Sequence, residues 1–313
     1  MITFGPVPSR RLGRSLGINN IPPKACTYSC VYCQVGPTHR REIDPRLFYT
    51  PDHILAHVEA SIEAAVQAGE TIDYLTFVPD GEPTLDENLG KTINLLRPLG
   101  LKIAVISNAS LIWREDVRER LADTVWLSLK VDAVEESLWR SINQPHQALR
   151  LHKILEGMQL MAAAYQGELT TETMLVDAIN DREEAMAGVA DFLRRLNPRK
   201  AYLAVPTRPV AQAGIGPPSE KNLNQAFQVL SRRLSRVEYL IGYEGDAFTS
   251  TGNVVEDLLS ITAVHPMREA AVKALLSRTG CSWDVVTALI GEGQLKEVAY
   301  GGARFYVRAL NIT

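Results

Sequence analysis

The stretch KACTYSCVYCQVG, residues 24–36, holds three of the chain's four cysteines, Cys26, Cys30 and Cys33, in a C-x3-C-x2-C spacing. Three thiols in one short loop admit three kinds of chemistry. A structural zinc site closes with four protein ligands, and His39 is the nearest fourth donor. A bacterial ferredoxin run reads C-x2-C-x2-C with a further cysteine, and this loop has neither feature. The third reading is a [4Fe–4S] cluster held by three cysteines, with one iron left open for a small molecule. Cys281 stands alone between Gly280 and Ser282 at a predicted helix start, where a small buried side chain is the simplest account.

The chain has 313 residues, enough to bury a large core in one main domain with a small appendage. Apolar residues make up 46% and charged residues 22%, as in ordinary soluble globular proteins. A formal charge of −3 argues against a basic nucleic-acid coat, though not against a local basic patch. No apolar run reaches the length of a membrane span. The N-terminal MITFGPVPSRR lacks the apolar segment of a secretory signal, so the chain reads as cytoplasmic. In a reducing compartment, clustered cysteines serve as metal ligands more readily than as disulfides.

After the cysteines, apolar strand-like runs alternate with amphipathic helices. Thr50-Pro51-Asp52 caps a helix to about Gln67, closed by Gly69. Strands follow at IDYLTFV, LKIAVIS, TVWLSLKVD, ELTTETMLV and KAYLAVP, each leading into a helix. With RSLGINN before the cysteines, these make six βα units. That pattern predicts an α/β fold, a partial (β/α)6 barrel over residues 1–259.

One strand gives the barrel an inside. Along Val125–Asp132, the side chains of Val125, Leu127, Leu129 and Val131 point one way, and those of Trp126, Ser128, Lys130 and Asp132 the other. The aliphatic face suits the outer helices. The opposite face puts a hydroxyl, an amine and a carboxylate into the lumen, where unpartnered burial costs about 1–3 kcal/mol each. A polar ligand in the lumen is the simpler account. From about residue 260, two short helices (MREAAVKALLSRTG, SWDVVTALIGEG) and a hairpin around Gly301-Gly302 predict a winged-helix-like domain at 260–313.

The cysteine loop, with Tyr32 just before its last cysteine, resembles the signature of the radical S-adenosylmethionine (SAM) superfamily. Further stretches are similar to that family. Asp80-Gly81-Glu82-Pro83 resembles its GGEP element, with Asp80 at the first glycine, and implies contacts to the amino group of SAM. Ser107 and Asn108 match a ribose-contacting position; Ser128 and Lys130 match positions at the ribose and carboxylate. Met174 would flank the adenine, and Asn180 closes its strand as a turn or a ligand contact. The resemblance covers residues 1–250. Within the family, GPVPSRRLGRSLGIN and VPTRP look most like the branch related to wyosine-base synthesis on tRNA. That branch binds a second cluster through extra cysteines, and with Cys281 alone left over, a second three-cysteine cluster is excluded here.

The resemblance implies reductive cleavage of SAM to methionine and a 5′-deoxyadenosyl radical, which abstracts hydrogen from a substrate. It implies an electron donor such as a flavodoxin or ferredoxin. Lys130 has a competing role: an inward lysine of lowered pKa could form a Schiff base. Arg208 is expected to face substrate or to brace its loop, and Tyr243-Glu244-Gly245 to close the barrel mouth or form a surface turn. Residues 1–46 carry seven cationic side chains against Glu42 and Asp44, a patch for phosphates or a set of internally paired arginines. The tail interleaves Lys273, Arg278, Lys296, Arg304 and Arg308 with Trp283, Tyr300, Phe305 and Tyr306, which suits nucleic acid; the alternation of Val298, Tyr300, Phe305 and Val307 also fits a plain hairpin with one face on a core. Substrate expectations are therefore tRNA, or a peptide or protein held by the tail. The non-enzymatic alternative is a zinc-stabilised nucleic-acid-binding regulator.

Overall fold

The computed structural model describes residues 2–241, 253–264 and 266–309. The chain opens with two antiparallel strands, β1 (Thr3–Ser9) and β2 (Gly13–Ile18). Helix and strand then alternate: α1 (Pro51–Gln67), β3 (Tyr74–Phe77), α2 (Leu89–Leu96), β4 (Lys102–Ser107), α3 (Glu115–Leu121) and β5 (Trp126–Lys130). They continue through α4 (Glu136–Asn143), α5 (Leu151–Ala164), β6 (Glu168–Met174), α6 (Glu183–Leu196), β7 (Lys200–Ala204), α7 (Glu220–Ser231) and β8 (Val237–Leu240). The sheet runs in chain order from β1 to β8, and every pair from β2 onward is parallel.

This is the expected partial α/β barrel, extended by one strand at each edge. The first addition, β1, contains Pro6 and Pro8. Proline has no N–H to give to a ladder, so an edge strand is where it can sit. The short strand β8 closes the other edge. Helix α1 starts as its sequence dictates: the Thr50 hydroxyl accepts from His53 N at 3.3 Å with Pro51 in the first turn, and Gly69 follows in the left-handed region.

The period-2 rule sorts each strand into two faces. Ile103, Val105, Leu127, Leu129, Leu169, Ala201 and Leu203 join the outer core beneath the helices. Leu12, Ala104, Trp126, Tyr202, Ala204 and Leu240 form a separate apolar layer across the inside of the sheet. Trp126 therefore plugs the lumen, and the polar residues after it on β5 sit towards the carboxyl ends of the strands.

The remaining elements are α8 (Val254–Val264), β9 (Met267–Arg268), α9 (Glu269–Thr279), α10 (Asp284–Gly291) and the hairpin β10 (Leu295–Tyr300) and β11 (Ala303–Arg308), with β9 pairing β11. Helix α8 runs across residue 260. Phe4 and Val7 of β1 share a core with Leu258, Ile261, Leu275, Val286 and Tyr306. The tail aromatics are used in packing. Phe305 and Tyr306 are buried, and Trp283 meets Tyr306 edge-on, ring centroids 5.5 Å apart. Phe305 and Tyr306 thus follow the core-packed reading of the hairpin, while Trp283 and Tyr300 stay half-buried. Arg304 and Lys273 both pair with Glu269.

Candidate active site

The cysteine loop spans the gap between β2 and α1 and is laced to the neighbouring strand ends by backbone hydrogen bonds. Lys24 N donates to Asp80 O at 2.8 Å and Glu82 N to Ala25 O at 2.9 Å. Ser29 N and Val31 N donate to Asn143 O and Ile142 O, at 3.1 and 3.0 Å, at the end of α4. Gly81 is needed for this closeness: a Cβ there would lie 2.0 Å from the Ala25 carbonyl oxygen.

The three cysteines face a cavity of about 290 Å³ at the carboxyl ends of the strands. Tyr32, Gly81, Ser107, Asn108, Lys130, Met174 and Arg208 line it with them. Such strand ends are where parallel barrels assemble their sites. Three expected residues lie behind this wall. Pro83 and Ser128 are buried and off the cavity surface, and the Ser128 hydroxyl has no hydrogen-bond partner in the protein. Glu82 is also buried, and its carboxylate is consumed within the protein. It accepts from Thr84 N, Thr84 Oγ1 and Ser107 Oγ, and from Asn108 N at 2.7 Å. It thus fixes the end of β4 against the cysteine loop. Arg208 donates to Gln34 Oε1 at 3.2 Å on the cavity rim. Tyr243, Glu244 and Gly245 lie outside the described residues.

Burial, with Cys30 beside it, pushes the Cys26 thiol well above its ordinary value; burial and Asp132 push Cys30 up to about 12. Ligating a metal therefore means expelling protons from this loop. Burial also raises Asp80 to about 7, against the pull of Lys24. Below the loop, Asp132 accepts from the Tyr32 hydroxyl, from Asn143 Nδ2 at 2.7 Å and from Met174 N at 2.8 Å.

Glu172 stands directly across from Lys130 in the β5–β6 register, and Lys130 Nζ donates to its Oε1 at 2.8 Å. Arg11 pairs with the other oxygen. Burial alone would depress the Lys130 ammonium, but Glu172 and Asp132 outweigh it and raise its pKa. The pairing with Glu172 favours the charged ammonium over the Schiff-base role. That role needs a neutral amine. Burial would likewise raise Glu172, but Lys130 and Arg11 hold it down at about 2, against an ordinary 4.5. A carboxyl whose folded pKa is depressed stabilises the fold above its unfolded value and loses that contribution as pH falls through the folded one. The effect is on the order of 3 kcal/mol, lost between about pH 4.5 and 2. Glu172→Gln will flatten this acid limb, as urea unfolding midpoints measured across that range will report.

Glu172 and Asn143 had not been singled out from the sequence. Glu172 was within reach, because it shares the inward parity of ELTTETM with Met174. Asn143 ends a helix more than a hundred residues from the cysteines and gave no local signal. Among the described residues, no three His, Cys, Asp or Glu side chains converge on a point that one metal ion could fill.

The sequence matches the description of the Radical SAM superfamily over residues 20–190, more than half of the chain. The chain belongs to the radical SAM superfamily. It is also 47% identical over 309 residues to the UPF0026 protein MJ1312 of Methanocaldococcus jannaschii, covering 98% of this chain and 96% of that one. A UPF0026 protein of Helicobacter pylori is 31% identical over 214 residues, 66% of this chain and 67% of its own. In fold, the chain is similar to a radical SAM methyltransferase from Sphaerobacter thermophilus (TM-score 0.56, 20% identity, 72% of this chain and 66% of that one). It also resembles Streptococcus suis SuiB bound to S-adenosylmethionine (TM-score 0.52, 13% identity, 75% of this chain and 53% of that one). Radical SAM membership makes the protein an enzyme that uses SAM and an iron–sulfur cluster, with a reductant and a substrate. The residues present fit that pair of groups: three thiols on one wall, and a charged lysine and a polar β4 end facing the same space. No helix among the described residues is long and apolar enough to cross a membrane.

Proposed function

We propose that Cys26, Cys30 and Cys33 hold a [4Fe–4S] cluster, leaving one iron for the amino and carboxylate groups of SAM. The observation that carries this reading is the convergence of the three cysteines, Asn108 and Lys130 on one cavity at the strand ends. When bound, the cluster supplies the electron that splits SAM into methionine and a 5′-deoxyadenosyl radical, which takes a hydrogen atom from substrate.

The chain's residues position and enclose. Lys130, kept charged by Glu172, meets the SAM carboxylate. Asn108 and Ser107, held by Glu82, present polar groups to the ribose, and Met174 covers the adenine. Tyr32 braces Lys130, whose Nζ lies 4.8 Å over its ring. Lys130→Met will weaken SAM binding on the order of tenfold, as expected for loss of a charge-assisted pair. Equilibrium dialysis measures it, and an unchanged affinity assigns the carboxylate to another group.

For the substrate we favour an RNA, tRNA first. The cavity wall carries Arg10, Arg11, Lys24, Lys130 and Arg208 against Asp80 and Glu172, and residues 5–19 and 205–209 resemble the wyosine-related branch. A cytoplasmic protein reduced by a flavodoxin or ferredoxin completes the reading. The second reading, a peptide substrate, draws on β10. This strand is the edge of a three-stranded sheet whose winged-helix-like order offers an open ladder to an extended chain. Reconstituted anaerobically with dithionite and SAM, the protein should release 5′-deoxyadenosine. It should retain RNA in a manner that weakens with salt. Zinc at one equivalent with no iron or sulfide would replace the enzymatic reading, and salt-insensitive or absent RNA retention would turn attention to peptides.

A further inference from the structure

Each cysteine of the loop has its own side-chain N–H donor, and the three donors come from three different places in the fold. Asn108 Nδ2, past the end of β4, lies 3.7 Å from Cys26 Sγ. Asn143 Nδ2, the last residue of α4, lies 3.5 Å from Cys30 Sγ. Lys24 Nζ lies 3.7 Å from Cys33 Sγ. The amide orientations are fixed by second contacts. Asn108 Oδ1 accepts from Ser110 N at 2.9 Å, so its nitrogen must face the other way. Asn143 Nδ2 also donates to Asp132 Oδ2 at 2.7 Å. Lys24 Nζ is held by Gly36 O at 2.5 Å.

Backbone conformation points to the same three places. Among the described residues, five that are not glycine have positive φ. Lys24 (65°) is itself a donor, Ala109 (61°) follows Asn108, and Gln144 (42°) follows Asn143. A left-handed conformation is costly for a residue with a Cβ and persists where the surroundings impose it, most often at functional sites. Lysine at a position that glycine or asparagine would fill more easily means that its side chain is wanted there.

We infer that Lys24, Asn108 and Asn143 are positioning residues that set the reduction potential of the cluster, one donor to each ligating sulfur. The inference rests on the cluster reading above and goes beyond it. Hydrogen bonds to cluster sulfurs are among the levers that set iron–sulfur potentials. A donor offsets negative charge on the thiolate. The reduced cluster carries one more electron than the oxidised one, so donation favours reduction and raises the potential. Lys24 adds a full positive charge to its hydrogen bond.

The test is an EPR-monitored redox titration of the anaerobically reconstituted full chain. Lys24→Met and Asn108→Ala should each shift the one-electron equilibrium toward the oxidised cluster by threefold to tenfold, a tenfold change being about 59 mV. Lys24→Arg, which keeps a cationic donor, should return most of the shift. Because such variants can lose the cluster, the wild-type protein supplies an independent readout. Pulsed EPR of its reduced cluster, with asparagine or lysine separately labelled with nitrogen-15, should show couplings that follow each label. Potentials unmoved by the substitutions, or wild-type spectra without asparagine and lysine couplings, overturn the inference while leaving the cluster in place. A wild-type protein that takes up no iron overturns the cluster reading itself, and this inference with it.

Discussion

Cys33→Ala will give a protein that folds normally and produces no measurable 5′-deoxyadenosine. The loop does not depend on the thiol for its shape. Cys33 N donates to Cys30 O, and Ser29, Val31 and Glu42 carry further backbone bonds that alanine leaves in place. Cys33 is half-buried, so truncation removes little packed volume, and thermal stability should change by less than about 1 kcal/mol. Cluster binding is different. Two thiolates cannot hold a cluster that already keeps one iron free of protein, so iron and sulfide content should fall several-fold. Turnover should drop by more than about a thousandfold, roughly 4 kcal/mol of barrier. Iron analysis and chromatography of reaction mixtures check both halves. Full activity in the variant would remove Cys33 from the ligand set.

Gly81→Ala will damage stability and cofactor loading together. The added Cβ would lie 2.0 Å from the Ala25 oxygen and 2.8 Å from its carbonyl carbon. Backbone cannot step aside as a flexible side chain can, so the loop must part from the β3 end. That movement breaks the Glu82-to-Ala25 and Lys24-to-Asp80 hydrogen bonds, which dock the cysteines on the barrel. Overpacking costs typically 1–3 kcal/mol, and a backbone clash belongs at the upper end or beyond. In a chain of this size that is a fall in Tm on the order of 5–10 °C. Gly216→Ala is the control, because a Cβ there meets no atom within 4 Å. If Gly81→Ala melts with the parent and loads iron normally, the tight docking described here is wrong.

These two positions also mark how far the sequence could be read. The cysteine spacing, the caps of α1 and the parity of β5 rest on local chemistry, and the fold honours each of them. Strand β1 carries no strand signal in sequence because Pro6 and Pro8 interrupt it, although an edge strand tolerates them. The residues expected at SAM divided for a similar reason. Lys130, Asn108 and Met174 reach the cavity because strand parity and strand ends place them there. Glu82 does not, because what its carboxylate meets depends on Ser107 and Asn108 from another strand. Asn143 owes its place wholly to the fold, which carries the end of α4 beneath the cysteine loop. The tail's aromatics supported two readings, a nucleic-acid surface and a plain hairpin with one face on a core. Only the packing partners separate them: α8, α9 and α10 supply a core that takes in Tyr306, and Arg268 lies over Phe305.

Radical chemistry at this site requires one iron that the protein leaves unligated and that SAM can occupy. Electron–nuclear double resonance of the reduced cluster, with SAM carrying nitrogen-15 at its amino group, tests this most directly. A hyperfine coupling from the labelled nitrogen is the predicted result. No coupling, in a cluster whose spectrum changes instead when His39 or Cys281 is replaced, would show the fourth iron already held by the protein and would contradict the account.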